Sequence, residues 1–203
     1  MVEEFVVEGE SPVSGAVIHR LDAATLERVA STVSPQPHIA VVAQPPSASL
    51  LAIVDGWVLV ADRVQDPGNL GTMIRSAVAA GAAAVATTPG TVDPYSPKVV
   101  RASAGALFHV PCIEVASLAD LGAAGFITVG TSSHTQPGCV DHDAYDFAGR
   151  IALVMGNEAA GLEPDAPIDA WVTIRQVGPV ESLNVAMATT VIAFEIARQR
   201  KRR

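Results

Sequence analysis

WVLVADRVQDPGNLGTMIRSAVAAGAAAVAT, residues 57–87, is the stretch that decides the fold. It opens on an unbroken apolar run, WVLVA (57–61), and passes through a loop holding Asp66, Pro67, Gly68 and Asn69. It then enters LGTMIRSAVAA (70–80), rich in helix formers, and closes on a second short apolar run, AVAT (84–87). Runs too short for a helix, with a Gly-containing turn and a helix between them, make a strand–helix–strand unit. The lack of polar alternation marks strands covered on both faces. Further apolar runs at 107–110, 126–130, 151–155 and 170–174 extend the pattern as strands, with helices between several of them. The expected class is therefore α/β, a mostly parallel sheet flanked by helices. A last helix is predicted from Asn184 to about Arg200, with Val185, Ala188, Val191, Ile192 and Ile196 as its packing face.

Upstream, a strand is predicted at Phe5–Val7, a helical stretch around Leu21–Ala30 and a strand at Ile39–Ala43. The loop or linker Gln44, Pro45, Pro46, Ser47 follows. This divides the chain into a small lead-in, residues 1–50, and a main domain, residues 51–203. The 203 residues are 49% hydrophobic and 17% charged, which argues against disorder. No uninterrupted apolar run reaches the ~18 residues of a membrane span. The acidic start MVEEFVVEGE lacks the pattern of a secretory signal, and Cys112 and Cys139 are too few for a disulfide framework. A cytoplasmic, thiol-reduced protein is expected. A net charge of −8 by itself disfavours a nucleic-acid partner. Against that, Arg198, Arg200, Lys201, Arg202 and Arg203 gather at one end, as a solubilising helix terminus or as phosphate contacts.

Three Gly-containing turns each follow an apolar strand. In DPGNLGTMIR (66–75), Asn69 taken alone reads as the N-cap of a helix starting at Leu70, ahead of any catalytic part, while Arg75 is the lone charge of that helix. Either a partnered surface arginine or a functional group fits Arg75. In LVMGNEAAGL (153–162), Gly156 and Gly161 suit a loop that wraps a ligand's polar edge with backbone amides. Glu158 fits there or as a helix-terminal charge or an arginine's partner. In VGPVESLNVAMATTVIAFE (177–195), Ser182 or Asn184 starts the long helix. Ser182 as a nucleophile is weak without a G-x-S-x-G elbow. There is no G-x-G-x-x-G after the first strand and no G-x-x-x-x-G-K-[ST], so dinucleotide and P-loop phosphate binding are poorly supported. His134, Cys139, Asp141, His142 and Asp143 match no strong zinc spacing and read as a polar loop; no metal is expected.

In order and spacing, D-P-x-N-x-G-x-x-x-R, apolar-M-G-N-E-x-x-G-L and G-x-x-E-S-L-N-V-A resemble the SpoU (TrmH-type) branch of the SPOUT methyltransferases. The resemblance covers about residues 55–198, and KVVRASAGALFHVP (98–111) matches the family's run between motifs. It implies a deep trefoil knot towards the carboxy terminus, S-adenosylmethionine bound in the knot, a homodimer, and methyl transfer to a ribose 2′-hydroxyl of RNA. By motif matching, Asn69, Arg75, Glu158, Ser182 and Asn184 would be the catalytic set, and Gly156, Ile174 and Leu183 would lie against the cofactor. Arg75 is the family's proposed base. A guanidinium holds its proton under ordinary conditions, so positioning a substrate phosphate is the alternative role.

FVVEGESPV and STVSPQPHIAVV look like a shortened form of the small RNA-binding domain of the family's ribosomal-RNA members, which favours ribosomal over transfer RNA. One departure stands out, Arg175-Gln176, where the family usually has Pro-Met. That departure and the short front region motivate a second class of function, a non-catalytic dimeric RNA-binding or assembly factor. An RNA partner also requires cations to converge on one face of an acidic protein. Arg63, Lys98, Arg101 and Arg175 are the expected substrate contacts, with Arg75 and the basic tail beside them.

Overall fold

The structure, a computed structural model, describes residues 2–13, 15–30, 32, 34–46, 48–132, 138–179 and 182–201. The chain divides into two compact units, Met1–Pro46 and Ser47–Arg203. The first is built on a three-stranded sheet. In it β1 (Glu3–Val7) runs parallel to β2 (Val17–Leu21), which α1 (Ala23–Val29) follows, and antiparallel to β3 (His38–Val41). Alternate residues of β1, Glu4 and Val6, are buried, the period-two pattern of a sheet with one covered face. The buried Glu4 carboxylate accepts from Val13 N at 2.9 Å and lies 3.1 Å from His38 Nδ1. β2 was not predicted. Val17 and Arg20 are exposed and none of its residues is fully buried, so this edge strand carries no apolar run to find.

In the second unit the order is β4 (Trp57–Ala61), α2 (Pro67–Ala79), β5 (Ala84–Thr87), α3 (Pro97–Ala102), β6 (Cys112–Glu114), α4 (Ala119–Ala123), β7 (Ile127–Thr131), β8 (Val140–Asp141), β9 (Ile151–Met155), β10 (Ala170–Thr173) and α5 (Val185–Lys201). The strands form one sheet in the order β6-β5-β4-β9-β7-β10-β8, each neighbouring pair parallel. Every residue of β4 and β9 is buried. Trp57, Leu59, Ile151 and Leu153 face a core shared with Met73 and Ile74 of α2 and Ile192 and Ile196 of α5. Val58, Val60, Ala152 and Val154 face a second core with Leu121 and Phe126. Two covered faces account for the unbroken apolar runs. No helix among the described residues is long and apolar enough to cross a membrane.

Three expectations are corrected. Residues 107–110 are not a strand: Ala106–His109 is a 3₁₀ turn, and the edge strand is β6. Ala104 (φ 49°) and Gly105 (φ 85°) take left-handed backbone there and turn the chain, so Leu107 is buried while Phe108 is exposed. Helix α2 starts at Pro67 rather than Leu70. On α5, Ala186, Thr189, Ile192, Ala193 and Ile196 are buried, whereas the predicted core residue Val191 is 40% exposed. The helix is apolar on more than one side, so spacing alone does not select the face that packs.

Gly71 explains how α3 reaches α2. A Cβ there would lie 2.4 Å from Ala102 Cβ and 2.8 Å from the Val99 carbonyl oxygen, so only glycine allows this approach.

Candidate active site

The parallel strands β4 and β9 pair side by side, and their carboxyl ends deliver residues 62–66 and 156–163, the place where open α/β sheets bind ligands. Asp66, not Asn69, caps α2: its Oδ1 accepts from Asn69 N at 2.7 Å, and Pro67 occupies the first turn. Asn69 is thereby released from the capping role that its residue type suggests. Its Nδ2 donates to Glu158 Oε1 at 3.1 Å, and its Oδ1 accepts from Asn184 Nδ2 at 3.0 Å. The three turns, far apart in sequence, thus meet in one chain of side-chain amides ending on a carboxylate.

Each end of that chain is itself anchored. Glu158 also accepts from Asp66 N at 3.0 Å and Gln65 N at 3.3 Å. Burial raises its pKa, but the hydrogen bonds from Asn69 and from the backbone of Glu158, Asp66 and Gln65 outweigh it, and the net shift is downward. Glu158 is therefore an ionised acceptor at neutral pH. Asn184 uses its Oδ1 to accept from Ala186 N at 2.9 Å and Met187 N at 3.3 Å, capping α5. Its amide is fixed in the orientation that offers Nδ2 to Asn69.

Beside this chain lies a cleft of about 350 Å³. Gly156, Glu158, Ile174, Ser182 and Leu183 all line it, together with Trp171, which sequence reasoning did not single out and no local motif marks. A Cβ at Gly156 would stand 2.4 Å from the Gly161 carbonyl carbon and 2.6 Å from Leu162 N. The loop closes on itself there, with Gly161 N donating to the Asn157 carbonyl at 2.9 Å. Asn157, part of the predicted turn but given no side-chain role there, shapes the loop: its Oδ1 accepts from Ala159 N and Ala160 N, both at 3.0 Å. Burial pushes the Cys112 thiol up to about 11 against a smaller lowering by the Tyr95 hydrogen bond, so Cys112 keeps its proton at neutral pH.

The predicted cations fall into two groups. Arg75 is exposed on α2 and has no ion pair among the described residues; Lys98 and Arg101 are exposed on α3, packed against α2 at Gly71, and Arg101 makes a contact of its own. Arg63 instead pairs with Asp62 and Glu163, and Arg175 with Asp141 at 2.7 Å. In the tail Arg198 pairs with Glu195, while Arg202 and Arg203 lie outside the described residues, as does His134. Arg75, Lys98 and Arg101 thus lie on two packed helices, while Arg63 and Arg175 are held in ion pairs.

Residues 56–194 match the SpoU rRNA Methylase family. The chain belongs to that family. Among SpoU relatives, the 23S rRNA (guanosine(2553)-2′-O)-methyltransferase of Bacillus subtilis is 35% identical over 208 residues, spanning 97% of this chain and 81% of that protein. The 23S rRNA (uridine(2479)-2′-O)-methyltransferase of Streptomyces viridochromogenes is 39% identical over 155 residues, spanning 68% of this chain and 51% of that protein. Among solved structures, the SpoU methyltransferase AviRb of Streptomyces viridochromogenes with AdoMet superposes with a TM-score of 0.83 at 31% identity, covering 99% of this chain and 83% of that one. An AdoMet-bound rRNA methyltransferase of Sinorhizobium meliloti gives 0.80 at 34% identity, covering 91% and 72%. These neighbours carry AdoMet, which makes S-adenosylmethionine the methyl donor expected of a SpoU chain.

Proposed function

We propose that the chain transfers a methyl group from S-adenosylmethionine to a ribose 2′-hydroxyl of ribosomal RNA. The observation that carries this reading is the Glu158–Asn69–Asn184 chain beside the cleft. The cleft suits the cofactor in size and chemistry. About 350 Å³ lies in the range of small-molecule sites, Trp171, Ile174, Leu183 and Val185 offer apolar walls, and Gly156 keeps the backbone clear of a side chain. Gly156, Ile174 and Leu183 would hold it. The cofactor supplies an electrophilic methyl group on a sulfonium, so the protein's task is alignment and proton removal, with no metal required.

In this reading Asn69, locked by Glu158 and Asn184, presents a fixed edge to the ribose. Glu158 accepts hydrogen bonds and orders the loops, and Ser182 sits at the cleft's rim. Arg75 holds the RNA and the 2′-hydroxyl proton leaves to solvent water, because an exposed guanidinium with no ion pair among the described residues keeps its donors for a phosphate. Lys98 and Arg101 extend the contact along the phosphate backbone.

The chain acts as a homodimer in this proposal. α5 offers the surface for it: Met187, Val191 and Phe194, spaced at helical intervals, are 64%, 40% and 51% exposed, an apolar stripe that a second copy would cover. The knot about the cofactor loops and a cytoplasmic location belong to the same proposal. Ribosomal RNA is preferred to transfer RNA because relatives matched along most of this chain are named for 23S rRNA.

Arg75→Lys tests the assignment. Loss of the planar donor fork should abolish methylation while S-adenosylmethionine binding persists; near-normal methylation contradicts it.

A further inference from the structure

Arg63 has features that phosphate contact does not explain. Among the described residues only Arg63 (φ 55°) and Ala104 (φ 49°) combine a side chain with left-handed backbone, a conformation that disfavours long residues. Such strain persists where surrounding bonds over-determine it, and here they do. Nε donates to Asp62 Oδ2 at 3.1 Å, Nη1 donates to Glu163 Oε1, and Nη2 lies 3.5 Å from the Gly161 carbonyl oxygen. Asp62 is buried and accepts from Thr88 Oγ1 at 2.7 Å, while the same hydroxyl oxygen accepts from Arg63 N at 3.2 Å. The Arg63 carbonyl in turn accepts from Asn157 Nδ2 at 2.9 Å.

One residue therefore grips both ends of a loop. Its carbonyl holds Asn157 and its guanidinium holds Gly161 and Glu163, and residues 157–162 between them form a wall of the cleft. Two carboxylates already occupy the guanidinium, which leaves it poorly placed to neutralise a phosphate. From this geometry we infer that Arg63 is a positioning residue, a latch that holds the loop 157–163 in its cofactor-binding shape, and not an RNA contact. The inference rests on the cleft being the S-adenosylmethionine site.

The test uses the full chain and the variants Arg63→Gly, Arg63→Asn and Glu163→Gln. Glycine and asparagine accept the left-handed backbone and keep the carbonyl bond to Asn157 but lose the guanidinium's hold on Gly161 and Glu163, and Glu163→Gln weakens that hold from the other side without touching residue 63. Calorimetric titration should show S-adenosylmethionine Kd raised about tenfold in all three, the expected result of losing a preorganised loop. The Tm of ligand-free Arg63→Gly should not fall, and affinity for a ribosomal RNA fragment, with its salt dependence, should match wild type. Unchanged cofactor affinity overturns the latch. If RNA binding then weakens with a shallower salt slope, Arg63 is a phosphate contact; if Tm alone falls, its role is merely structural. A wild-type chain that binds no S-adenosylmethionine overturns the reading of the cleft itself, a result distinct from a variant that binds as well as wild type.

Discussion

Asn184 Nδ2 donates to Asn69 Oδ1 at 3.0 Å across 115 positions of sequence, joining the start of the last helix to the first helix of the main sheet. Because Asn69 donates onward to Glu158, its amide must supply a donor and an acceptor at once. Asn69→Asp removes the donor and sets a second carboxylate against Glu158. Denaturant unfolding should register a loss of about 1–3 kcal/mol, the usual cost of unmaking such bonds, and methyl transfer should disappear. A variant as stable and active as wild type would remove Asn69 from the centre of the site.

Glu158 predicts a pH dependence of definite sign. Its folded pKa lies below the ordinary glutamate value, so the unfolded chain binds the proton more readily. The resulting stability is present above the unfolded glutamate pKa of about 4.3 and is lost as pH falls through the lower folded value. Thermal melts from about pH 7 down to about pH 3 should therefore fall more steeply for wild type than for Glu158→Gln. Parallel curves would show that the bonds from Asn69, Gln65 and Asp66 contribute nothing to ionised Glu158.

Gly156→Ala places a Cβ 2.4 Å from backbone that cannot swing aside. The loop must shift, at a cost of about 1–3 kcal/mol typical of overpacking, and S-adenosylmethionine affinity should fall with it. Tm and cofactor titration check both parts, and an unaffected Kd would mean that the Gly156–Gly161 approach does not shape the cleft.

Phe194→Glu puts a charge on the exposed stripe of α5, where Phe194 is 51% exposed. Sedimentation should show a dimer for wild type and a monomer for the variant, with the monomer's Tm little changed because the side chain is not in the core. A wild-type monomer at micromolar concentration would rule out this use of the surface.

How much of this was legible in the sequence follows from what each residue touches. The boundaries of β4, β5 and β9 are readable to the residue, because strands covered on both faces write their burial as unbroken apolar runs. β2 writes no such signal, and LFHV reads as a strand only because periodicity does not separate a short apolar strand from a 3₁₀ turn. At the site, motif order brought Asn69, Glu158, Ser182 and Asn184 to notice, and the structure places them together. Local logic alone assigned Asn69 to capping, since a short amide at a helix start commonly caps, and only the long-range contact with Asn184 shows its other use. Arg63 is expected as a substrate contact, and its sequence neighbour Asp62 does not by itself argue otherwise; the partner Glu163 lies 100 positions away, a pairing that charge patterning along the chain does not reveal.

The most direct test of the central claim is to incubate the purified chain with methyl-labelled S-adenosylmethionine and unmodified ribosomal RNA, then hydrolyse the RNA in alkali. A methylated 2′-oxygen blocks alkaline cleavage at its own linkage, so the account predicts label in an alkali-resistant dinucleotide, absent with Asn69→Asp. Label recovered in ordinary mononucleotides would mean transfer to a base, and no incorporation would mean that the chain does not methylate this RNA; either result contradicts the account.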